Sequence, residues 1–342
     1  MREGERHGHL YPLYSLCLVW VFQQNQSNME RGNHTSASEF ILLGLSSRPE
    51  GQELIFSLFL VMYLVGAAGN LLIILAVGSH SHLHTPMYFF LSSLSLVDLC
   101  FISTTVPKML VNIQTQTQSI SYGGCLAQIY FCILLANMDN FLLAAMAYDR
   151  YVAICHPLHY STTMSLQISA LMLGSSWLIA NFHSLLHTLL MARLEFCASN
   201  VIPYFFCDLV PLLQLSCSNT HLNQLMILLV GGLIVLIPFL SILISYIHIM
   251  SAVRRVPSAQ GKQKAFSTCG SHLTVVILFY GTITGVYLSP SSSRSADKNS
   301  LASVMYMVVT PMLNPFIYCL RNKDMNGALW KLLSVKALSC GL

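Results

Sequence analysis

The stretch "MAYDRYVAIC", Met146–Cys155, closes a long apolar run with an acid, a base and a phenol side by side: Asp149, Arg150 and Tyr151. From Tyr122 to Tyr148 the chain before it carries Asp139 as its only charged residue. A run of that length crosses a hydrocarbon core of roughly 30 Å as a helix. The triplet therefore stands where helix meets water. At that level an arginine either pairs with its neighbouring acid or releases it and turns toward a partner. In a low dielectric the choice is large enough to bias a two-state equilibrium. Tyr246 and Tyr318, low in two later runs, are placed to take up the freed space, and Pro315 loosens the helix that carries Tyr318.

Similar runs lie outward in both directions, at 53–77, 87–113, 122–148, 166–190, 222–250, 266–289 and 300–320. Polar or Pro/Gly-containing links such as "GSHSHLHTP" and "SPSSSRSADKNS" separate them. Of the 342 residues, 54% are hydrophobic and only 9% charged, far below the roughly one-quarter charged of soluble domains. The fold class expected is an all-α membrane protein, a bundle of seven transmembrane helices over 53–320. Residues 1–28 precede it as an extension, 29–52 as a tail, and 321–342 follow with a short amphipathic helix. A net charge of +4 with no basic block excludes nucleic acid as a partner.

Lys and Arg placement sets the orientation. One set of links holds Arg150, Arg254, Arg255, Lys262 and Lys264, and the C-terminal tail adds Arg321, Lys323, Lys331 and Lys336. The other holds Lys108, Arg193, Arg294 and Lys298. The C-terminus is expected in the cytoplasm and the N-terminus outside. At the N-terminus, "YPLYSLCLVWVF" after Arg2 and Arg6 is too short to span and resembles the apolar part of a signal peptide. No small-x-small cleavage site follows it, and Met29 offers a second start. Asn25 and Asn33 stand in glycosylation sequons on the outer side, Asn33 being the better placed.

Cys125, Cys197, Cys207 and Cys217 fall at or beyond the outer face, where disulfides persist. Four cysteines permit three pairings, and spacing leaves all three open. The pairing adopted is Cys125–Cys207 with Cys197–Cys217. Cys100, Cys132, Cys155, Cys269 and Cys319 lie in or beside spans and are read as packing residues. Asp98 and Asp139 are the carboxylates well inside spans, with Asn70 and Asn314 at similar depth. Buried acids face the bundle interior and mark function. One reading is a structural polar knot with one acid protonated; the other is a small cation such as Na⁺ held by Asp98, Asp139 and neighbouring oxygens.

These residues match a family. "GN" at Gly69-Asn70, "MAYDRYVAIC" and "NPFIY" at Asn314–Tyr318 resemble the rhodopsin-like G-protein-coupled receptors. "PMYFFLSSLSLVDL" at 86–99, "MAYDRYVAICHPLHY" at 146–160, Ser245-Tyr246, "KAFSTCGSHL" at 264–273 and "PMLNPFIYCLRN" at 311–322 narrow the resemblance to vertebrate odorant receptors, over roughly 29–335. Tyr204, where histidine is usual, and Cys319, where serine is usual, depart from the pattern.

The resemblance implies that Asp149, Arg150 and Tyr151 control G-protein engagement, with Asp98, Asp139 and Asn314 as an ion-linked core. It also implies Cys125–Cys207 as the shared disulfide. A volatile small molecule would bind and a stimulatory G protein would raise cyclic AMP, at the plasma membrane of sensory cilia. The ligand is expected in the outer half of the bundle, between spans three, five and six. On span three Ile133, Ala136, Asn137 and Asn140 share a face, as do Tyr280, Ile283, Thr284 and Tyr287 on span six; Val230 and Ile234 come from span five. The same stripes are what plain helix packing produces. Mostly apolar, with a few hydroxyl and amide groups, they suit neutral ligands rather than amines.

Other classes fit less well. A receptor for a non-odorant lipid or small metabolite is the nearest alternative. A transporter would carry charges along a continuous path or show an internal repeat. A membrane enzyme would have only His183 and His187, at i, i+4, without a third metal ligand.

Overall fold

The computed structural model describes residues 39–45, 49–197, 200–287 and 302–339. Asn25, Asn33, the 1–28 extension and "SPSSSRSADKNS" with Arg294 and Lys298 lie outside the described residues. Among the described residues the long helices are α1 (Pro49–Ser79), α2 (Pro86–Thr115), α3 (Tyr122–Cys155), α4 (Leu166–Ala192), α5 (His221–Arg255), α6 (Ala259–Tyr287) and α7 (Ala302–Cys319). An eighth helix, α8 (Lys323–Ser339), follows. Among the described residues five helices are long and apolar enough to cross a bilayer. A sixth span arises if the Pro157–Thr163 segment and α4, bent by 62°, are taken together. In α6 the apolar stretch is the shorter Cys269–Gly285. The chain is a multi-pass membrane protein.

Local chemistry sets the helix ends. Ser121 caps α3, its hydroxyl accepting from Gly124 N–H at 3.2 Å, and Ser165 caps α4 through Ile168 N–H at 3.2 Å. The whole of "MAYDRYVAIC" is helical, so α3 runs seven residues past the 148 expected from apolarity alone. Nothing in Asp149–Cys155 breaks a helix; Pro157 does, and His156 is already non-helical. Helix α1 begins at Pro49 and α6 at Ala259, both earlier than their apolar runs, and α5 contains a π turn at Ile227–Gly231.

Glycines let α1 lie close to α7. A Cβ at Gly69 would meet the Pro315 ring at 3.1 Å, and one at Gly66 would meet Ile102 and Met312 at 3.2 and 3.4 Å. Prolines lie inside three of the helices: Pro107 in α2, Pro238 in α5, and Pro311 and Pro315 in α7. Each lacks an N–H and so frees a carbonyl four residues upstream.

A small sheet, not expected from the sequence, closes one end of the bundle. Strand β1 (Glu39–Leu42) pairs antiparallel with β2 (Ser119–Ser121) and parallel with β3 (Val201–Ile202). Phe40 is fully buried between the rings of Tyr122 and Phe196. This second core includes Cys125, Cys207, Ile129 and Leu212 and sits beside the main core of the bundle.

Candidate functional site

At the end opposite the sheet, the members of the "DRY" triplet turn to different surroundings. Asp149 is buried and its Oδ1 accepts from the Tyr160 hydroxyl at 2.8 Å. Tyr160 belongs to the one-turn helix Tyr160–Thr163, which "HPLHY" places just beyond α3. Tyr151 shares a hydrogen bond with His156 Nε2 at 3.0 Å. Arg150 turns inward: its Nε is buried without a hydrogen-bond partner. The guanidinium charge is felt at Asp149 and also at Tyr246, His272 and Tyr318, which places all four around it. The arginine and both tyrosines singled out from the sequence thus meet in one place. Tyr318 OH is buried and unpaired.

Two members of this cluster were not foreseen. His272 on α6 lies between Tyr246 on α5, 2.9 Å from its Nδ1, and the Leu143 carbonyl of α3, 3.0 Å from its Nε2. A carbonyl only accepts, so Nε2 carries the proton and Nδ1 accepts from the Tyr246 hydroxyl. The rings of Tyr246 and His272 stack with planes 19° apart. One imidazole therefore joins three helices. The "SHL" of "KAFSTCGSHL" was its only trace in the sequence, and Tyr160 likewise stood within a quoted motif without a role.

In mid-bundle the four polar residues expected to lie at one depth are all buried. Asn314 Nδ2 donates to Asp98 Oδ2 at 2.9 Å, and Asn70 Nδ2 donates to the Gly66 and Pro311 carbonyls at 3.0 and 3.2 Å. Asp139 is within electrostatic reach of Asp98. One oxygen on each of Asn70, Asp98, Asp139 and Asn314 has no hydrogen-bond donor. Such a surplus of buried acceptors fits a small hard cation, which takes oxygen ligands.

Four residues of the ligand stripe, Asn137, Asn140, Ile234 and Tyr280, also take part in hydrogen bonds between helices. Asn137 Nδ2 donates to His183 Nδ1 at 2.8 Å across the α3–α4 contact. Asn140 Nδ2 donates to the Ile234 carbonyl at 2.8 Å, and its Oδ1 accepts from the Tyr280 hydroxyl. Ile234 is four residues before Pro238, so Asn140 supplies the donor that the proline removed. Ile133, Ala136, Val230, Ile234 and Ile283 are half-buried, Thr284 is exposed and Tyr287 ends α6. His183 and His187 meet edge to face with centroids 4.5 Å apart, and no group of three or more potential metal ligands occurs among the described residues.

Near the sheet Cys125 is bonded to Cys207, Cα atoms 5.5 Å apart, and Cys197 to Cys217, 5.9 Å apart. Gln128 reinforces the first bridge: its Oε1 accepts from Cys207 N–H at 2.8 Å while its Nε2 donates to the Thr104 carbonyl at 3.0 Å. Cys132, Cys155, Cys269 and Cys319 are free thiols.

Residues 59–336 match the family model described as olfactory receptor. A putative olfactory receptor 1F12P of Homo sapiens is 65% identical over 306 residues, 90% of this chain and 91% of its own length. Olfactory receptor 1f45 of Rattus norvegicus is 62% identical over 90% of this chain and 98% of its own length, and olfactory receptor 1F1 of Homo sapiens is 60% identical over 89% and 98%. With the arginine cluster at one end and the disulfide-tied sheet at the other, matches of this extent leave one assignment: the chain belongs to the olfactory receptor family, whose members are G-protein-coupled receptors in membranes.

Proposed function

We propose that this receptor binds small, mostly apolar volatile molecules in the half of the bundle nearer the sheet and activates a stimulatory G protein, raising cyclic AMP. Seven spans cross the plasma membrane, with β1 outside and α8 in the cytoplasm; the Lys/Arg asymmetry of the links supports this. Sensory cilia are the expected location. The observation that carries the reading is Arg150. A buried guanidinium nitrogen without a partner is costly, and here it faces Tyr246, His272 and Tyr318 at the end where a G protein would dock. An inserted partner segment offering carbonyl acceptors would satisfy it, so partner binding and helix rearrangement favour one another.

Ligand entry is read on α3, α5 and α6, which Asn140 and Tyr280 join. A ligand that competes for the Tyr280 hydroxyl or shifts its ring would act directly on the Asn140 link to α5. Na⁺ among Asp98, Asp139, Asn70 and Asn314 would hold α1, α2, α3 and α7 in one arrangement, as the four donorless oxygens support. The test is a panel of volatile ligands applied to transfected cells with a cyclic AMP readout. Arg150→Ala is expected to abolish every response at unchanged surface delivery. A normal response in that variant, or purified receptor that never promotes nucleotide exchange with an agonist found in the panel, overturns the reading.

A further inference from the structure

A cavity of about 240 Å³ lies away from every residue assigned above, between the end of β1, α1, the last turns of α2 and Phe205. It falls below the roughly 300–1,000 Å³ of drug-sized sites. Among the described residues no charged side chain lines it. Its polar groups are the primary amides of Gln52, Asn112, Gln116 and Gln118, set against an apolar wall that includes Ile55 and Met109. Asn112 is the informative one. It is 8% exposed, and its Oδ1 is buried with no hydrogen bond from protein. A buried carbonyl oxygen without a donor costs on the order of 1–3 kcal/mol, and elsewhere in this bundle side-chain amides are spent on freed carbonyls. Here an acceptor is left over at the wall of a cavity.

We infer that this cavity is a second small-molecule site, separate from the α3–α5–α6 ligand region, for a neutral, mainly apolar molecule carrying one hydroxyl donor. An apolar wall with amide groups and no charge among the described lining residues suits a neutral molecule. The apolar wall takes an alkyl chain, and Asn112 Oδ1 takes the hydroxyl proton. Because its walls come from β1, α1 and α2, an occupant fixes the tail strand against the first two helices.

Gly44 provides the readout. It lines the cavity, it is exposed, and a Cβ there meets only Gln118 Nε2, at 3.9 Å, so Gly44→Cys is tolerated. The full-length variant in detergent is treated with a thiol-reactive maleimide, and the background of the unaltered protein is subtracted. Labelling is timed with 1-heptanol or with its isomer hexyl methyl ether, which has no donor. At about twice its Kd, heptanol is expected to slow labelling threefold by mass action, and the ether far less. Asn112→Leu, which replaces an unsatisfied amide by an apolar side chain of similar size, is expected to level the two; Asn112→Ala serves if that variant is not recovered. Ile55→Phe, which narrows the cavity, is expected to weaken both effects. No slowing by heptanol, equal slowing by the ether, or a preference that survives loss of the amide each overturns the site. Occupancy is read without signalling, so the result is independent of G-protein coupling.

Discussion

Asn140 permits a test in which a second mutation should repair the first. Pro238 deprives the Ile234 carbonyl of its helical donor, and Asn140 Nδ2 replaces it at 2.8 Å while Oδ1 accepts from Tyr280. Asn140→Leu leaves one carbonyl and one hydroxyl unpaired in a water-poor interior. Each such group costs about 1–3 kcal/mol in soluble cores, yet interhelical hydrogen bonds in membranes average only about 0.6 kcal/mol. A combined loss of about 1–3 kcal/mol follows, a fall of a few degrees in the melting temperature of purified receptor. Pro238→Ala restores an N–H that bonds the Ile234 carbonyl within α5. In that background Asn140→Leu should cost less, with a coupling of about 1 kcal/mol between the two positions. Tyr280→Phe isolates the other half of the link and should not couple to Pro238. If the cost of Asn140→Leu is the same with and without Pro238, the amide is not standing in for the missing backbone donor and the reasoning fails.

Tyr160→Phe frees Asp149 to close on Arg150, and basal cyclic AMP at matched surface expression is expected to fall about fivefold, as a shift of about 1 kcal/mol gives; unchanged or higher basal signalling counts against it. His272→Phe keeps the stack on Tyr246 but removes both hydrogen bonds, so α6 loosens from α3 and agonist-independent signalling should rise several-fold; a fall would show that the imidazole serves the active arrangement instead. Cys207→Ser opens a bridge joining residues 82 apart in sequence and frees the α4–α5 link from α3. A loss of about 3–5 kcal/mol is expected, ending surface delivery. A normally delivered, ligand-responsive variant would show the bridge to be dispensable.

The bundle was legible because its signal is a composition repeated over twenty-residue lengths, which bilayer thickness alone converts into helices. Helix ends were less so. Asp149–Cys155 stays helical although it is polar at its start, since ending a helix takes a proline or a cap and not merely the end of an apolar run. The β1 strand escaped notice because "EFIL" has no alternation and pairs with partners some 80 and 160 residues away. Within the site, charged residues in apolar runs announced themselves: Asp98 and Asp139 are buried, and so is Arg150 Nε. Residues whose importance depends on a partner's geometry did not. His272 reads as a lone histidine until Tyr246 and Leu143 stand on either side, and the hold of Asn140 on α5 shows only once Pro238 is found four residues beyond Ile234.

That last relation is not confined to α5. Pro315 frees the Pro311 carbonyl of α7, and Asn70 of α1 donates to it at 3.2 Å. Beside Pro107 in α2, Gln128 of α3 donates to the Thr104 carbonyl at 3.0 Å. At Pro107, Pro238 and Pro315 an amide from a neighbouring helix therefore stands at or beside the gap. Such a break costs little while the neighbour stays in place and becomes exposed when it moves, so each proline ties the bend of its own helix to the position of another. Unpaired buried side-chain atoms show a matching asymmetry. Among the described residues they lie on α1, α2, α3 and α7, with His183 Nε2 on α4 the exception, while the contacts of α3 with α5 and α6 through Asn140 and His272 are closed. Helix α3 takes part in both sets. A displacement of α5 or α6 must break formed hydrogen bonds, whereas the α1–α2–α7 side can gain them from water or a cation. The cost of moving the bundle is thus concentrated on α5 and α6, and the compensation available for it lies across α3 on the other side.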